Sequence, residues 1–228
     1  MWEKCVDAYP LDALDTVLTV DISHAMPASQ RFLLKLPVPR ARQMRSQLRG
    51  AVPAACMSWD RATASARPID DDHPLPRVHV ILHTSGTNGV PKSAPLTHAN
   101  IGVNVNQCMF WVWKLHEGAE TFFSLLPYFH AFGLTFFLCA AVRKAATQVL
   151  LPKFDAQMAL DAHKRRPVTF FVGVPPMFER ILARAKQTGT DISSISYSVA
   201  GAMPLSTALA ADWEATTGGL IVEGYGLS

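Results

Sequence analysis

The sequence predicts an α/β protein with a largely parallel sheet layered with helices. From Pro76 onward, short β-branched and aromatic runs alternate with helical stretches, the pattern of strands joined by helical crossovers. Hydrophobic residues make up 49% of the 228 residues and charged residues 17%, enough to bury a sizeable core. Pro175 and Pro176 sit where the first turn of a helix tolerates proline, and Gly218 and Gly219 sit where a helix stops.

Leu14 to Ile22 alternates apolar and polar residues well enough for a strand. Arg31 to Arg49 carries Arg31, Lys35, Arg40, Arg42, Arg45 and Arg49 without an acid and is interrupted by Pro37 and Pro39. A solvated surface helix is the plainer reading of this stretch, and contact with anionic lipid the sharper one. Pro53, Pro68, Pro74 and Pro76, with Asp70 to Asp72, mark a loop, so residues 1–76 form an upstream part and residues 77–228 the core. Val78 to Leu82 reads as a strand. Asn100 to Leu115 reads as a helix with Ile101, Val105, Cys108, Met109 and Val112 along one face.

Thr121 to Val142 holds no Asp, Glu, Lys or Arg, and about 20 apolar residues span a bilayer. Pro127, Tyr128, His130 and Gly133 would then lie near the membrane centre, where a broken helix leaves backbone groups unpaired. The segment is better divided into a buried strand at Thr121–Leu126, a loop at Pro127–His130 and an apolar helix at Ala131–Lys144. Thr147–Leu151 is a strand, Asp155 caps a helix towards Arg166, and Val168–Val172 is a strand. A helix from Pro175 to about Gln187, a strand at Ser196–Ala200, a helix opened by Pro204 and a strand at Leu220–Val222 complete the chain.

Composition excludes several classes. Lys plus Arg total 21 against 18 acids, a net charge of +3, too weak a bias for a nucleic-acid face. Cys5, Cys56, Cys108 and Cys139 show no C-x-x-C spacing, so a zinc ribbon is not expected, and no metal ligand is assigned. Widely spaced thiols fit a reduced, cytoplasmic setting, and Met1 to Pro10 carries Glu3 and Asp7 without an apolar signal run. A cytoplasmic protein, soluble or peripheral to the membrane, is expected; oligomeric state is not legible.

The stretch VHVILHTSGTNGVPKS, ending at Ser93, joins an apolar strand to a loop of Thr84, Ser85, Gly86, Thr87, Asn88 and Gly89, closed by Lys92. Glycines let backbone N–H groups approach oxygen closely, hydroxyls add donors, and lysine supplies a charge that can follow phosphates. The composition suits a polyphosphate, although a plain Gly/Ser/Thr turn has the same residues. Pro91 stands where the Walker pattern needs its second glycine, and proline has no N–H to give, so a P-loop NTPase fits less well. His130 follows a strand end, where α/β proteins bind ligands, although a lone histidine in an apolar stretch is ordinarily a core residue.

HTSGTNGVPKS resembles the phosphate-loop signature of the adenylate-forming enzymes, the acyl-CoA synthetases and their relatives. LTHAN at Leu96–Asn100, LLPYFHAFGL at Leu125–Leu134, VGVPPMFERI at Val172–Ile181, and AGAMPL followed by VEGYGLS resemble further motifs of that family in the same order. The upstream part is similar to the bacterial long-chain fatty-acid–CoA ligases. The resemblance implies part of a synthetase large domain, with ATP, Mg2+ and CoA used to convert a fatty acid to acyl-adenylate and then acyl-CoA. It places Thr84 to Gly89 and Lys92 around the phosphates and Gly201, Ala202 and Met203 along the adenine. Glu223, Gly224 and Gly226 would shape that pocket, Tyr225 would stack on the base, and Ser228 would donate to the α-phosphate. His130 would sit by the substrate carboxylate; relatives that activate amino acids usually carry Asp there. Phe170, Phe171, Val174 and Pro175 would line an apolar tunnel, although an ordinary core explains them equally well. Asn88 and Ser93 replace a usual Thr and Gly, and His83 a usual aromatic. The family's magnesium glutamate would follow Ser228, and its ribose aspartate and adenylation lysine would lie further on. The resemblance therefore implies an internal fragment, impaired when alone. A non-catalytic nucleotide-binding remnant, a P-loop NTPase and a single-span membrane protein are the alternatives.

Overall fold

A computed structural model describes residues 14–48, 56–67, 77–84, 89–151 and 153–226. The chain divides into two compact units, Met1–Pro74 and Leu75–Ser228.

In the first unit, strand β1 (Leu18–Thr19) pairs in parallel with β2 (Met57–Ser58). The strand expected over Leu14–Ile22 shrinks to these two residues, because Asp21 accepts a hydrogen bond from the Ser23 N–H at 2.9 Å and turns the chain into a 3-10 helix at Ile22–Ala25. The basic stretch is not one helix. Pro37 ends α1 (Ala28–Lys35) and α2 (Pro39–Leu48) starts at a proline, as the fixed φ of that residue favours. Leu34 and Ala41 are its buried apolar contacts. Ser58 caps α3 (Trp59–Ser65), a helix with no periodic signal in the sequence, by accepting from the Arg61 N–H at 3.2 Å.

The second unit begins with a hairpin. Strand β3 (Val78–His83) pairs antiparallel with β4 (Ser93–Thr97), forming a small sheet separate from the main one. Ser-Ala-Pro-Leu-Thr lacks an apolar run, so β4 left no strand signal; Pro95 is tolerated because β4 is an edge strand. The chain then enters α4 (His98–Trp111), where Thr97 and Asn100 form a reciprocal capping box.

The main sheet is parallel throughout, in the order β6–β5–β7–β8–β9. Its strands are β5 (Thr121–Ser124), β6 (Thr147–Leu150), β7 (Phe170–Gly173), β8 (Tyr197–Gly201) and β9 (Leu220–Gly224). The helical segment α5, between β5 and β6, runs through Ala131–Gly133, a π-helical Leu134–Ala140 and Ala141–Arg143. Helices α6 (Ala156–Arg165), α7 (Pro175–Thr188) and α8 (Thr207–Thr217) make the other crossovers. Asp155 caps α6 at 2.8 Å as expected. Ser206, not Pro204, opens α8, since its hydroxyl accepts from the Leu209 N–H at 3.2 Å and a proline cannot do so through a side chain.

Alternation along the strands sorts the core into two layers. Phe122, Phe170, Val172 and Val199 pack on α4 and α5, whereas Phe123, Phe171, Ala200 and Ile221 pack on α6, α7 and α8. The four strand phenylalanines are fully buried, and each contributes roughly 1.5–3 kcal/mol by leaving water. Phe170 and Phe171 therefore face opposite sides of the sheet and cannot line one tunnel together. Among the described residues no helix is long and apolar enough to cross a membrane.

Candidate functional site

The strand order places β6 on one side of β5 and β7 on the other, so the chain reverses direction across the sheet beside β5. Parallel α/β sheets bind ligands at the carboxyl ends of strands near such a switch. Three sequence-predicted segments leave the sheet on this edge. Leu125–His130 follows β5, Gly201–Met203 closes β8, and Glu223–Gly226 closes β9.

The ends of β8 and β9 meet each other and the first turn of α5, which follows His130. A β-carbon at Gly201 would stand 2.9 Å from Phe132 Cζ and 3.0 Å from the Gly224 carbonyl oxygen. Gly201 and Gly224 are register partners, so the absent side chain is what lets the Phe132 ring reach the strand ends. The Glu223 carboxylate accepts from the Leu205 N–H at 3.2 Å and ties the end of β9 to the loop after β8. Ala202 holds a left-handed backbone at φ 65, an uncommon conformation for a residue with a β-carbon. Tyr225 is 90% exposed, and Phe129 and Met203 are also exposed, so this edge presents apolar surface to solvent.

His130 is exposed rather than buried in a core. Its Nδ1 accepts from the Phe132 N–H at 3.3 Å and caps α5. The loop that carries it is held from behind. The Leu134 N–H donates to the His130 carbonyl at 2.8 Å, and the His130 N–H to the Pro127 carbonyl at 3.2 Å. Gln148, on β6, accepts at Oε1 from Ser124 Oγ at 2.9 Å and from Tyr128 Oη at 2.7 Å. Burial pushes the Tyr128 phenol above its ordinary range, which keeps the hydroxyl protonated as a donor. Sequence reading missed Gln148: it lies 20 residues beyond Tyr128, and only the pairing of β5 with β6 brings them together.

The predicted phosphate loop lies between β3 and β4. The Thr84 N–H donates to the Lys92 carbonyl at 2.9 Å, and the Lys92 N–H to Thr84 Oγ1 at 3.1 Å. One step of the ladder earlier, Ser93 Oγ and His83 Nδ1 are hydrogen-bonded at 3.0 Å. The two strand ends are thus clamped, and the Lys92 side chain and Gly89 are exposed. Ser85, Gly86, Thr87 and Asn88 lie outside the described residues, as does Ser228. Among the described residues no group of three or more His, Cys, Asp or Glu is placed to hold a metal ion. Glu223 is a carboxylate on this edge, and one of its oxygens accepts from the Leu205 N–H.

Residues 16–228 match the family described as AMP-binding enzyme, and the chain belongs to that family. A long-chain-fatty-acid–CoA ligase of Bacillus subtilis strain 168 is 29% identical over 231 residues, covering 100% of this chain and 41% of the relative. One of Yersinia pestis is 34% identical over 151 residues, covering 65% of this chain and 27% of the relative. The chain thus spans less than half the length of these curated relatives. The fold is similar to ATP-bound MatB from Rhodopseudomonas palustris, with a TM-score of 0.63 and 26% identity over 83% of this chain and 39% of that one.

Proposed function

We propose that the whole protein activates a fatty acid with ATP, forming an acyl-adenylate and then acyl-CoA. The observation that carries this reading is the meeting of the ends of β8 and β9 with the start of α5, through Phe132 against Gly201 and Gly201 against Gly224, on the edge that also bears His130. The family membership and the names of the relatives support the class of reaction.

In the first step a carboxylate oxygen attacks the α-phosphorus of ATP, the bond to pyrophosphate breaks, and pyrophosphate leaves. In the second the thiol sulfur of CoA attacks the acyl carbon, its proton is lost, and AMP departs with the bonding pair. Charge accumulates on phosphate oxygens, so positioning and electrostatics supply most of the acceleration. The backbone and hydroxyls of Thr84 to Gly89 and the Lys92 ammonium bind the β- and γ-phosphates, and Ser228 donates to the α-phosphate. Gly201, Ala202 and Met203 lie along the adenine, with Tyr225 stacked on it and Glu223, Gly224 and Gly226 shaping the pocket. His130 orients the acid carboxylate. With histidine there and Phe129 and Phe132 beside it, the site suits an acid that lacks an α-ammonium group, and a long-chain fatty acid is the substrate assigned. Among the described residues no group of three or more His, Cys, Asp or Glu is placed to hold a metal ion, and no step above is routed through Mg2+.

The test is pyrophosphate–ATP exchange by the whole protein with palmitate, short-chain acids and aryl acids. Palmitate-dependent exchange is expected. Exchange only with an aryl acid would reject the chain-length assignment, and nucleotide binding without exchange would favour a non-catalytic binder.

A further inference from the structure

We infer that the α1–α2 hairpin is a binding surface for anionic lipid bilayers. From Ala28 to Leu48 the chain carries Arg31, Lys35, Arg40, Arg42 and Arg45 and no acidic residue. The same segment leaves large apolar side chains in water: Phe32 is 66% exposed, Leu33 57%, Met44 48% and Val38 45%. Ordinary solvated helices mix both signs of charge on their outer faces and keep phenylalanine inside. A cation-only helical pair with exposed Phe, Leu and Met is the composition of an interfacial element, whose apolar groups enter the acyl boundary while cations meet lipid phosphates.

The geometry preserves this surface. Leu34 and Ala41 are the buried apolar residues of the pair, and Phe32 projects from the side of α1 opposite Leu34. Lys35 follows Phe32 by three residues and shares its outer face. The corner is braced from inside. Arg45 donates to the Leu34 carbonyl and, at 3.2 Å, to the Leu36 carbonyl, and Arg42 donates to the Pro37 carbonyl at 3.3 Å. These bonds satisfy carbonyls at the end of α1 that would otherwise be orphaned, and they fix the corner. Arg31, Lys35 and Arg40 are exposed and remain available to an anionic surface. An anionic bilayer offers the two things the surface lacks, opposite charge and an apolar layer directly beneath it. A nucleic acid or an acidic protein supplies the charge but not the layer.

The experiment is co-flotation of the full chain with vesicles of phosphatidylglycerol and phosphatidylcholine in equal parts, and with phosphatidylcholine alone. Flotation is expected only with the anionic vesicles and is expected to fall as salt rises. Arg31→Gln, Lys35→Gln and Arg40→Gln combined should reduce partitioning about a hundredfold, at about fivefold per cation. Phe32→Ser with Leu33→Ser should reduce it by at least about tenfold while leaving its salt dependence unchanged. All five side chains are exposed, so circular dichroism should be unaltered in both variants, whereas Arg42 and Arg45 stay in place to hold the corner. Equal flotation with both vesicle types, or variants that float like the parent, would overturn the inference. Retention on heparin without flotation would assign the charge to a soluble polyanion and overturn it as well.

Discussion

Gly133→Ala separates two opposing effects at the His130 loop. Gly133 has helical backbone angles, φ −68 and ψ −39, inside α5. Propensity alone predicts that alanine stabilises such a position by about 0.8–1 kcal/mol. Packing predicts the reverse. A β-carbon there would stand 2.1 Å from the Pro127 carbonyl oxygen and 2.9 Å from the Pro127 carbonyl carbon. That oxygen is backbone and also accepts the His130 N–H at 3.2 Å, so relief requires the Pro127–His130 loop to move away from α5. Overpacking of this kind costs about 1–3 kcal/mol, which outweighs the propensity gain in most of its range. Urea unfolding should show a lower midpoint at unchanged slope. Gly102→Ala is the internal comparison. Gly102 is also helical but has nothing within 4 Å of its β-carbon position, so the same substitution should raise stability by about 1 kcal/mol. In the whole protein Gly133→Ala should also depress acid-dependent exchange at least tenfold, since relief of the clash moves the loop that carries His130. If the Gly133→Ala variant is as stable as the Gly102→Ala variant, or leaves exchange intact, the contact with Pro127 does not position this loop.

Three further outcomes are expected. Lys92→Ala should weaken ATP use by one to two orders of magnitude, the loss of a charged hydrogen-bonding partner worth about 1.5–3 kcal/mol, and unchanged ATP kinetics would remove the hairpin from the mechanism. His163 is buried, accepts from the Val168 N–H at 3.3 Å, and is held below its ordinary range mainly by burial. As pH falls below about 6.5 the unfolded chain takes up a proton that the folded chain resists, so stability should drop by up to about 1.4 kcal/mol per pH unit, and His163→Gln should flatten that limb; identical slopes would refute this. Trp213 is fully buried against Phe171 and Phe178 and donates to Ser198 Oγ at 3.0 Å, so Trp213→Ala should cost about 3–5 kcal/mol in denaturant unfolding, and a loss below about 1 kcal/mol would contradict the packing.

Much of this protein is determined by short-range pattern. The buried strands announce themselves because each carries adjacent phenylalanines, Phe122–Phe123 and Phe170–Phe171, that fill both faces, as a sheet covered by helices requires. The division of Thr121–Val142 into strand, loop and helix followed from Pro127, whose backbone constraint acts locally. The residues proposed to hold phosphate stand out in the sequence because glycines, hydroxyls and a lysine gathered after an apolar strand are suited to anionic oxygens. Other features depend on which strands become neighbours. Only the order β6–β5–β7–β8–β9 brings Gln148 to Ser124 and Tyr128, and Gly224 to Gly201. Alternation across the pleat sends Phe170 and Phe171 to different cores, which their adjacency in the chain conceals. Strand β4 exists because β3 offers it a partner, not because Ser93–Thr97 prefers to be extended. His130 is exposed because Leu134 and Phe132 fasten its loop outside the core, although the surrounding composition is that of a core. Periodicity records how each segment meets water, whereas pairing and orientation are set by contacts between segments distant in sequence, and those arise only when the sheet is assembled.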